Sequence, residues 1–190
     1  MAGPTDGIEP ADPLVPHVPE LDDTTDLRLG PEISAALLAV LPLVGNWSGS
    51  GTGIDPASGR QYAFFQRVTF AHDGRPFLSY SSHLWRLPED GSAPLRSDRE
   101  QGFLRMGAAE DELELVLSTA DGRIAIFTGL ASDLRWELVT TAVGFTPSAE
   151  QLAGERRLYA ITGDTLAYVD ELALVAGDYQ PRRNGQLARH

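Results

Sequence analysis

The chain has 190 residues, of which 42% are hydrophobic, enough for one folded domain with a core of its own. It contains no cysteine, which excludes disulfides, thiolate metal sites and thiol nucleophiles. Its formal net charge is −12 and all 15 basic residues are arginine, so the charge balance disfavours nucleic acid as a partner. The N-terminus lacks a signal-peptide pattern, and no apolar run reaches the roughly 18 residues of a membrane span. We therefore expect a cytoplasmic protein that does not enter a membrane.

Residues 1–28 are predicted to form a disordered acidic tail, followed by one folded domain over residues 29–190. The first 26 residues are rich in proline and hold seven aspartate or glutamate residues but no lysine or arginine. Such a segment buries too little apolar surface to offset its conformational entropy. Solubilisation and docking to a partner are both open as roles for it.

A single helix is predicted over residues 31–44. Pro31 suits its first turn, and Pro42 marks its end. Between them, apolar residues recur at helical spacing. The helix would either close one mouth of a barrel or pack on the edge of a sheet.

After Gly45 the pattern is that of β-strands almost throughout. Leu113, Leu115 and Leu117 alternate with glutamates, which is typical of a strand with one buried face. Asp-Gly at 73–74, 90–91 and 121–122 and Gly-Asp at 163–164 favour tight hairpin turns. Short strands without intervening helices indicate an antiparallel barrel or sandwich, and a closed barrel of this size can hold one small ligand. The predicted strands are 46–53, 61–71, 76–86, 101–106, 112–119, 122–129, 134–143, 155–162, 165–174 and 179–188.

The stretch from Gly45 to Gly51 reads Gly-x-Trp-x-Gly-x-Gly and is the most specific feature of the chain. Because side chains alternate along a strand, Gly45, Trp47, Gly49 and Gly51 are expected on one face. Glycine in a strand often marks the close approach of another backbone or of a ligand. The spacing is equally consistent with the wall of a binding pocket and with a core tryptophan at a sheet corner.

No arrangement of side chains in the sequence indicates catalysis. His83 lies within a predicted strand and is most simply a wall residue, while His72 precedes a turn and is expected to face solvent. No pair of histidines has the spacing of metal ligands. The glycine-rich run 49–53 lacks the Lys-Ser/Thr of a phosphate loop. The residues by themselves thus predict a ligand-binding barrel rather than an enzyme.

Further segments over most of residues 42–189 carry a family resemblance. They are Gly45–Gly51, Phe64–Gln66, His72–Tyr80, Trp85, Gly102–Arg105, Trp136–Leu138 and Arg156–Tyr159. Together they resemble the nitrobindins, which are fatty-acid-binding-protein-like β-barrels. The resemblance implies an all-β fold, a ten-stranded antiparallel up-and-down barrel of the nitrobindin and lipocalin kind with one short N-terminal helix. It also implies a haem b inside the barrel, shielded from water by the glycine–tryptophan wall, whose ferric iron binds nitric oxide and isomerises peroxynitrite to nitrate.

One position departs from the pattern of that family. Nitrobindins bind the haem iron through a histidine on the last strand, and a Gln-Pro dipeptide just before it aligns that histidine with Arg182. A guanidinium has no free lone pair, so it cannot be the axial ligand of the iron. A replacement ligand would have to come from Tyr168, Tyr179 or His83 on another wall, or from His190 by a fold-back of the C-terminus. We therefore expect no haem and no metal.

Three functions are consistent with this departure. In the first, the barrel is a non-catalytic binding protein in which Arg182 holds a small hydrophobic or anionic amphiphilic ligand, although an Arg182 paired with an internal carboxylate is equally consistent with the sequence. In the second, an atypical ligand binds haem, and the protein acts on peroxynitrite or nitric oxide. In the third, the cavity is filled and the protein serves structure or interaction.

Monomer and homodimer are both open. The candidate binding residues are Arg182, Arg157, Thr52, His83 and Tyr168, of which Arg157 would meet a haem propionate by the resemblance.

Overall fold

The computed structural model describes residues 23–56, 58–174 and 177–190. Within them lies one 3₁₀ helix, Ala35–Leu43. No helix of this described part has the length and apolar character that crossing a lipid bilayer requires. The strands in chain order are β1 (Gly45–Ile54), β2 (Gln61–Ala71), β3 (Leu78–Leu87), β4 (Leu95–Met106), β5 (Glu112–Thr119), β6 (Arg123–Ser132), β7 (Arg135–Phe145), β8 (Gly154–Thr162), β9 (Thr165–Ala173) and β10 (Gln180–Arg189).

The ten strands form one closed antiparallel barrel. Each strand pairs with the next one along the chain, and β1 closes the barrel by pairing with β10. Each strand has a partner on both sides, although the pairing of β7 with β8 ends at Val139 whereas β7 continues to Phe145. The barrel wall therefore meets other molecules chiefly through its side chains. The predicted fold, an all-β up-and-down barrel of ten strands with one short helix, is confirmed.

The prediction is wrong chiefly at β4, which is expected over 101–106 but begins at Leu95. Residues 95–100 read Leu-Arg-Ser-Asp-Arg-Glu, a polar run without alternating apolar residues. In the barrel Asp98 and Glu100 point inward, where arginine side chains surround them. The sequence pattern hides this part of the strand because its inward positions are carboxylates.

The glycines of the β1 motif lie at the seam where β10 closes the barrel. A Cβ atom on Gly49 would overlap the carbonyl oxygen of Gln186, and one on Gly51 would overlap that of Asn184. Any side chain at these two positions would therefore push β1 and β10 apart. The motif is explained by the close approach of a second backbone, and Trp47 on the same strand is almost fully buried.

The 3₁₀ helix packs across one end of the barrel. The indole N–H of Trp136 on β7 donates to the carbonyl oxygen of Ala39 at 2.9 Å. The indole N–H of Trp47 on β1 donates to the carbonyl oxygen of Leu43 at 2.8 Å. The helix is thereby fastened to two separate walls and closes this mouth. It begins four residues later than predicted, and its hydrogen bonds at both ends span three residues.

The N-terminal part of the described chain lies against the barrel at His72. Thr24 and His72 exchange two backbone hydrogen bonds of 2.8 and 3.0 Å. His72 is only 1% exposed, which corrects the expectation that it faces solvent. Residues 23–28 of the predicted tail are thus attached to the domain, whereas the rest of that prediction, residues 1–22, lies outside the described residues.

Candidate functional site

Eight charged side chains occupy the barrel interior at the end opposite the helix. Four are carboxylates and four are guanidinium groups, so their formal charges cancel. A buried charge without a partner is strongly unfavourable, so a balanced set is what burial requires. We call these residues the ion cluster. Its members are Asp98 and Glu100 on β4, Arg123 on β6, Glu155 and Arg157 on β8, Asp170 on β9, and Arg182 and Arg183 on β10.

Arg157 lies at the centre of the ion cluster. Its two terminal nitrogens donate to the two carboxylate oxygens of Glu100 at 2.8 and 2.7 Å, and one of them also donates to Glu155 at 3.2 Å. Burial by itself would raise the pKa of Glu100, but the charges of Arg157 and Arg183 hold that pKa well below its ordinary value. Burial likewise would lower the pKa of Arg157, but Glu100 and other carboxylates hold it well above its ordinary value. The central pair is therefore ionised at neutral pH and has bidentate geometry.

Arg183 links three carboxylates of the ion cluster. Its guanidinium nitrogens lie 2.9 Å from Asp98, 3.1 Å from Asp170 and 3.4 Å from Glu100. Burial opposes the charge of Arg183, but these carboxylates outweigh it and hold the pKa of Arg183 well above its ordinary value. Burial raises the pKa of Asp170 in spite of its arginine neighbours. The charge of Arg183 is thus balanced by three carboxylates, although its Nε atom has no hydrogen-bond partner within the described residues.

Arg182 points inward beside Arg183 because β10 contains a bulge. The pairing of β10 with β9 shifts register between Pro181 and Arg183, which lets two consecutive side chains face the interior. The nearest carboxylate oxygens to Arg182 belong to Glu155 at 3.5 Å and Asp98 at 3.6 Å, both longer than a hydrogen bond. The NH1 nitrogen of Arg182 is buried and has no hydrogen-bond partner within the described residues. Arg182 is therefore incompletely paired.

The electrostatic environment of Arg182 differs from that of Arg183. Burial, followed by the charge of Arg183, lowers the pKa of Arg182, and the carboxylates of Glu155 and Asp98 do not outweigh these effects. Because burial is the largest of these effects, the lowered pKa reports mainly that the guanidinium of Arg182 is desolvated without a close carboxylate partner. An additional anion beside Arg182 would therefore be favoured.

Two clefts at this end of the barrel are bordered by Arg182. One has a volume of about 280 Å³, lies between the β1–β2 turn and the β9–β10 loop, and presents apolar groups of Ile54, Pro56, Leu172 and Leu174. The other, of about 370 Å³, is lined mainly by polar and charged residues. Small-molecule sites occupy roughly 300–1,000 Å³, so the first cleft lies just below that range and the second near its lower end, and only a small ligand would fit them. Arg182 thus lies between an apolar and a polar surface, as the head-group partner of an amphiphile would.

A layer of hydrogen-bonded polar side chains lies beneath the ion cluster. Tyr80 donates to Glu100 at 3.0 Å, and the amide of Gln66 donates to Ser82 at 2.8 Å. The phenol of Tyr168 donates to the amide oxygen of Gln66. Burial raises the pKa of both Tyr80 and Tyr168 well above the ordinary value, so both phenols stay protonated. The tyrosines serve here as fixed hydrogen-bond donors.

The five predicted binding residues divide between the two faces of the barrel wall. Thr52 faces outward and accepts a hydrogen bond from the amide nitrogen of Asn184 at 3.2 Å. His83 also faces outward, with its ring centroid 5.9 Å from that of Trp85. Strand alternation alone excludes both from the interior, because Thr52 follows the inward-facing glycines and His83 lies between two buried residues. The three that point inward are Arg157, Arg182 and Tyr168.

Sequence reasoning missed six members of the ion cluster. The available signal was a charged residue two positions from another inward residue on the same strand, as with Arg157 and Glu155 on β8 or Asp170 and Tyr168 on β9. That signal is ambiguous, because alternate charged residues usually mark a solvated face. The six are Asp98, Glu100, Arg123, Glu155, Asp170 and Arg183.

Of the three histidines in the described residues, His83 lies on the outer face of the barrel. His72 is buried directly after β2, and neither of its ring nitrogens has a hydrogen-bond partner within the described residues. The Nε2 atom of His190 lies 2.6 Å from the Oγ atom of Ser48, which excludes a fold-back towards Arg182. Across the described ranges, no group of histidine and acidic side chains has an arrangement that could hold a metal ion. His17 is outside the described residues.

Comparison with known proteins agrees with this architecture. A family model described as "THAP4-like, heme-binding beta-barrel domain" matches residues 36–189. The chain belongs to this family. The resemblance to the nitrobindins found in the sequence is thereby confirmed, and a solved structure agrees with it. The crystal structure of Rv2717c from M. tuberculosis matches with a TM-score of 0.73 at 29% identity, covering 84% of this chain and 99% of that one.

Curated relatives of this nitrobindin-like chain carry two different names. The ferric nitrobindin-like protein of Saccharopolyspora erythraea is 43% identical over 179 residues, covering 93% of this chain and 84% of that protein. That of Nocardia farcinica is 41% identical over 182 residues, covering 94% and 77%. Peroxynitrite isomerase 2 of Rhodococcus jostii is 38% identical over 187 residues, covering 94% and 87%. At similar sequence identity, one of these relatives is thus named as an enzyme, whereas the other two have a name that states no reaction.

Proposed function

We propose that this nitrobindin-like barrel is a non-catalytic binding protein for a small anionic amphiphile, held at the mouth of the barrel by Arg182. The observation that carries the proposal is an inward-pointing guanidinium with a buried, unbonded NH1 nitrogen at the border of an apolar cleft. A ligand carboxylate would accept hydrogen bonds from this guanidinium, whose carboxylate neighbours Glu155 and Asp98 lie 3.5 and 3.6 Å away. The apolar part of the ligand would lie along Ile54, Leu172 and Leu174.

The residues present do not fit a histidine-ligated haem. Where the family pattern has its iron-binding histidine, this chain has Arg182, and a guanidinium offers no lone pair to iron. The alternative ligands are also poorly placed. Tyr168 lies beneath the ion cluster and is bonded to Gln66, and the ring of Tyr179 is stacked 3.9 Å from the guanidinium of Arg156. These contacts support a function that does not use haem iron.

Calorimetric titration with octanoate tests the binding proposal. Losing a hydrogen bond to a charged group costs about 1.5–3 kcal/mol, so Arg182→Gln should bind octanoate roughly 10- to 150-fold more weakly than the unaltered protein. The matched control is Arg156→Gln, which removes an arginine on the outer face and should leave the affinity unchanged. Octanol, which has the same chain without the charge, should bind weakly to all three proteins.

The proposal fails if Arg182→Gln and the unaltered protein bind octanoate equally well while both remain folded by circular dichroism. Absence of saturable binding to the unaltered protein would also overturn it. That second result would favour a barrel whose interior is filled by its own side chains and whose role is structural.

A haem-binding peroxynitrite isomerase or nitric oxide-binding protein with an atypical ligand is the second candidate function. It is favoured by the 38% identity to peroxynitrite isomerase 2 over 94% of the chain. Haemin added to the purified protein, followed by desalting and an absorption spectrum, separates the two candidates. A sharp Soret band with one haem per chain, lost in Tyr168→Phe, would support the second candidate and overturn the first.

A further inference from the structure

The N-terminal part of the described chain crosses the outer wall of the barrel from strand to strand. Three consecutive residues each contact a different strand, in the order in which the strands stand around the barrel. The contacts are Thr25 with Asn46 on β1 at 3.0 Å, Thr24 with His72 directly after β2 at 2.8 and 3.0 Å, and Asp23 with Ser79 on β3 at 2.5 Å. Followed towards the N-terminus, the backbone thus advances from β1 to β3, and β4 is the next strand in that direction.

A row of exposed apolar side chains begins on β4, at the level of this crossing. Ser79 lies opposite Phe103 on β4, and Phe103 lies opposite Val116 on β5. Val116 lies opposite Ile126 on β6, which lies opposite Ala142 on β7, so the row crosses four strands. Phe103, Val116 and Ile126 are 54%, 49% and 46% exposed. Contiguous apolar surface of this kind marks an interaction site, whereas single exposed residues do not.

The row lies in a groove of about 990 Å³ on the outside of the barrel, and the start of the described chain lies in the same groove. Asp23 and Thr25 both line it, and among the described residues that do so Asp23 is the only charged one. The ring of Phe103 meets that of Phe77 edge to face at a centroid distance of 5.2 Å. Proline-rich segments bind apolar grooves that present aromatic side chains. The groove therefore suits a proline-rich segment, and residues 1–22 are joined to it through Asp23.

Residues 10–21 have the sequence of such a segment. Proline recurs at every third position, which matches the three residues per turn of a polyproline II helix. The prolines are Pro10, Pro13, Pro16 and Pro19. In that conformation Val15, Val18 and Leu21 share a second face, whereas His17 and Glu20 lie on the third. The spacing thus gives the segment one apolar face besides its proline face.

We propose that residues 10–22 bind in this groove as a polyproline II segment, with the face of Val15, Val18 and Leu21 on the apolar row. One turn of this helix advances about 9.3 Å, and two strand spacings are about 9.6 Å. The two periods match, so when Leu21 lies at Phe103 on β4, Val18 lies one turn further on, at β6.

The attachment at Asp23 favours this segment over a separate partner. A tethered segment meets its site at an effective concentration of the order of millimolar, so weak contacts suffice for binding. Glu20 lies on the third face of the segment and stays in water, away from the uncharged row. The proposal goes beyond ligand binding, because the groove is on the outer wall whereas Arg182 is at the mouth of the barrel.

Paramagnetic broadening in the full chain tests the proposal. The chain has no cysteine, so a nitroxide attached to His17→Cys, on the third face, reports from one position. In isotope-labelled protein the amide signals of Val116 and Ile126 should lose most of their intensity and recover it when the nitroxide is reduced. The amide signal of Thr52, on β1 at the other end of the barrel, should keep its intensity.

Two variants of the labelled chain provide the matched comparison. Val18→Asp places a charge on the face that meets the row and should restore the signals of Val116 and Ile126. The control, Leu14→Asp, places the same charge on the third face and should leave the broadening unchanged.

Four results would overturn the proposal. One is full intensity of the Val116 and Ile126 signals in the labelled chain, and a second is equal broadening of those signals in Val18→Asp. A third is broadening that arises only between chains, when spin-labelled protein is mixed with isotope-labelled protein that lacks the nitroxide. The fourth is a concentration-dependent shift of the two signals without intramolecular broadening, which would assign the groove to a second copy. The signals of the barrel interior show in each case that the protein is folded.

Discussion

Arg157→Met removes the centre of the ion cluster and tests whether that cluster is a structural element. Arg157 and Glu100 have side chains only 2% and 3% exposed, so solvent does not screen their pairing. Breaking a buried ion pair by removing one partner costs about 3–5 kcal/mol, because the other charge is left buried. A domain of this kind has a free energy of unfolding of roughly 5–15 kcal/mol, so the expected loss is a large part of the total.

Urea denaturation at neutral pH measures this loss. The double variant Arg157→Met with Glu100→Leu removes both charges, and replacing a buried pair by apolar residues is often neutral, so it should recover at least half of the loss. The control is Arg135→Met, which breaks a surface pair with Glu137 whose side chains are 60% and 66% exposed. That pair should contribute less than about 1 kcal/mol. A loss below about 1 kcal/mol in Arg157→Met would refute the reasoning, as would a double variant no more stable than the single one.

Three further changes are expected to have measurable effects on urea unfolding. Gly49→Ala should cost about 1–3 kcal/mol because its Cβ atom would overlap the β10 backbone. The control, Ser50→Ala on the exposed outer face, should cost less than about 0.5 kcal/mol. Equal losses of unfolding free energy in the two variants would contradict the seam explanation. Trp136→Phe should cost about 1–3 kcal/mol because the carbonyl oxygen of Ala39 loses its donor, and an unchanged midpoint would show that the helix is not fastened there. The folded-state pKa of Glu100 lies below its unfolded value of about 4.5, so its stabilisation is complete above that pH and is lost as pH falls through the folded pKa. Glu100→Gln should therefore show a shallower decline of unfolding free energy in acid, and an unchanged slope would argue against a depressed pKa.

Strand pattern and turn residues were sufficient for most of the strands, and the family resemblance for their closure into a barrel. The start of β4 is where the strand pattern failed. In the sequence, a carboxylate that faces the barrel interior cannot be told from one that faces solvent. The residues around Asp98 and Glu100 therefore have the pattern of a loop, although they form a strand. His72 is a similar case, because its burial depends on a contact with Thr24 from a distant part of the chain. The local sequence pattern shows how side chains alternate along a strand, but it does not show which other segment of the chain covers each face of that strand.

The candidate site, too, was only partly predictable from the sequence. The sequence predicted a departure from the family pattern at Arg182, but it did not predict the partners of that side chain. The ion pairing of Arg182 depends on the carboxylates of Asp98 on β4 and Glu155 on β8. It also depends on a bulge in β10 that turns Arg182 and Arg183 to the same side of the wall. None of these neighbours is close in sequence.

The sequence by itself determined an all-β chain of about ten short strands and, through its family resemblance, a closed barrel, because alternation, turn spacing and motif residues are local properties. Only the tertiary structure decided that eight charges cancel inside the barrel, that Arg182 remains incompletely paired, and that an uncharged row crosses four outer strands. Each of these features depends on residues that lie tens of positions apart in the chain. Strand pairing brings those residues within a few ångströms of one another, where Coulomb and packing forces act.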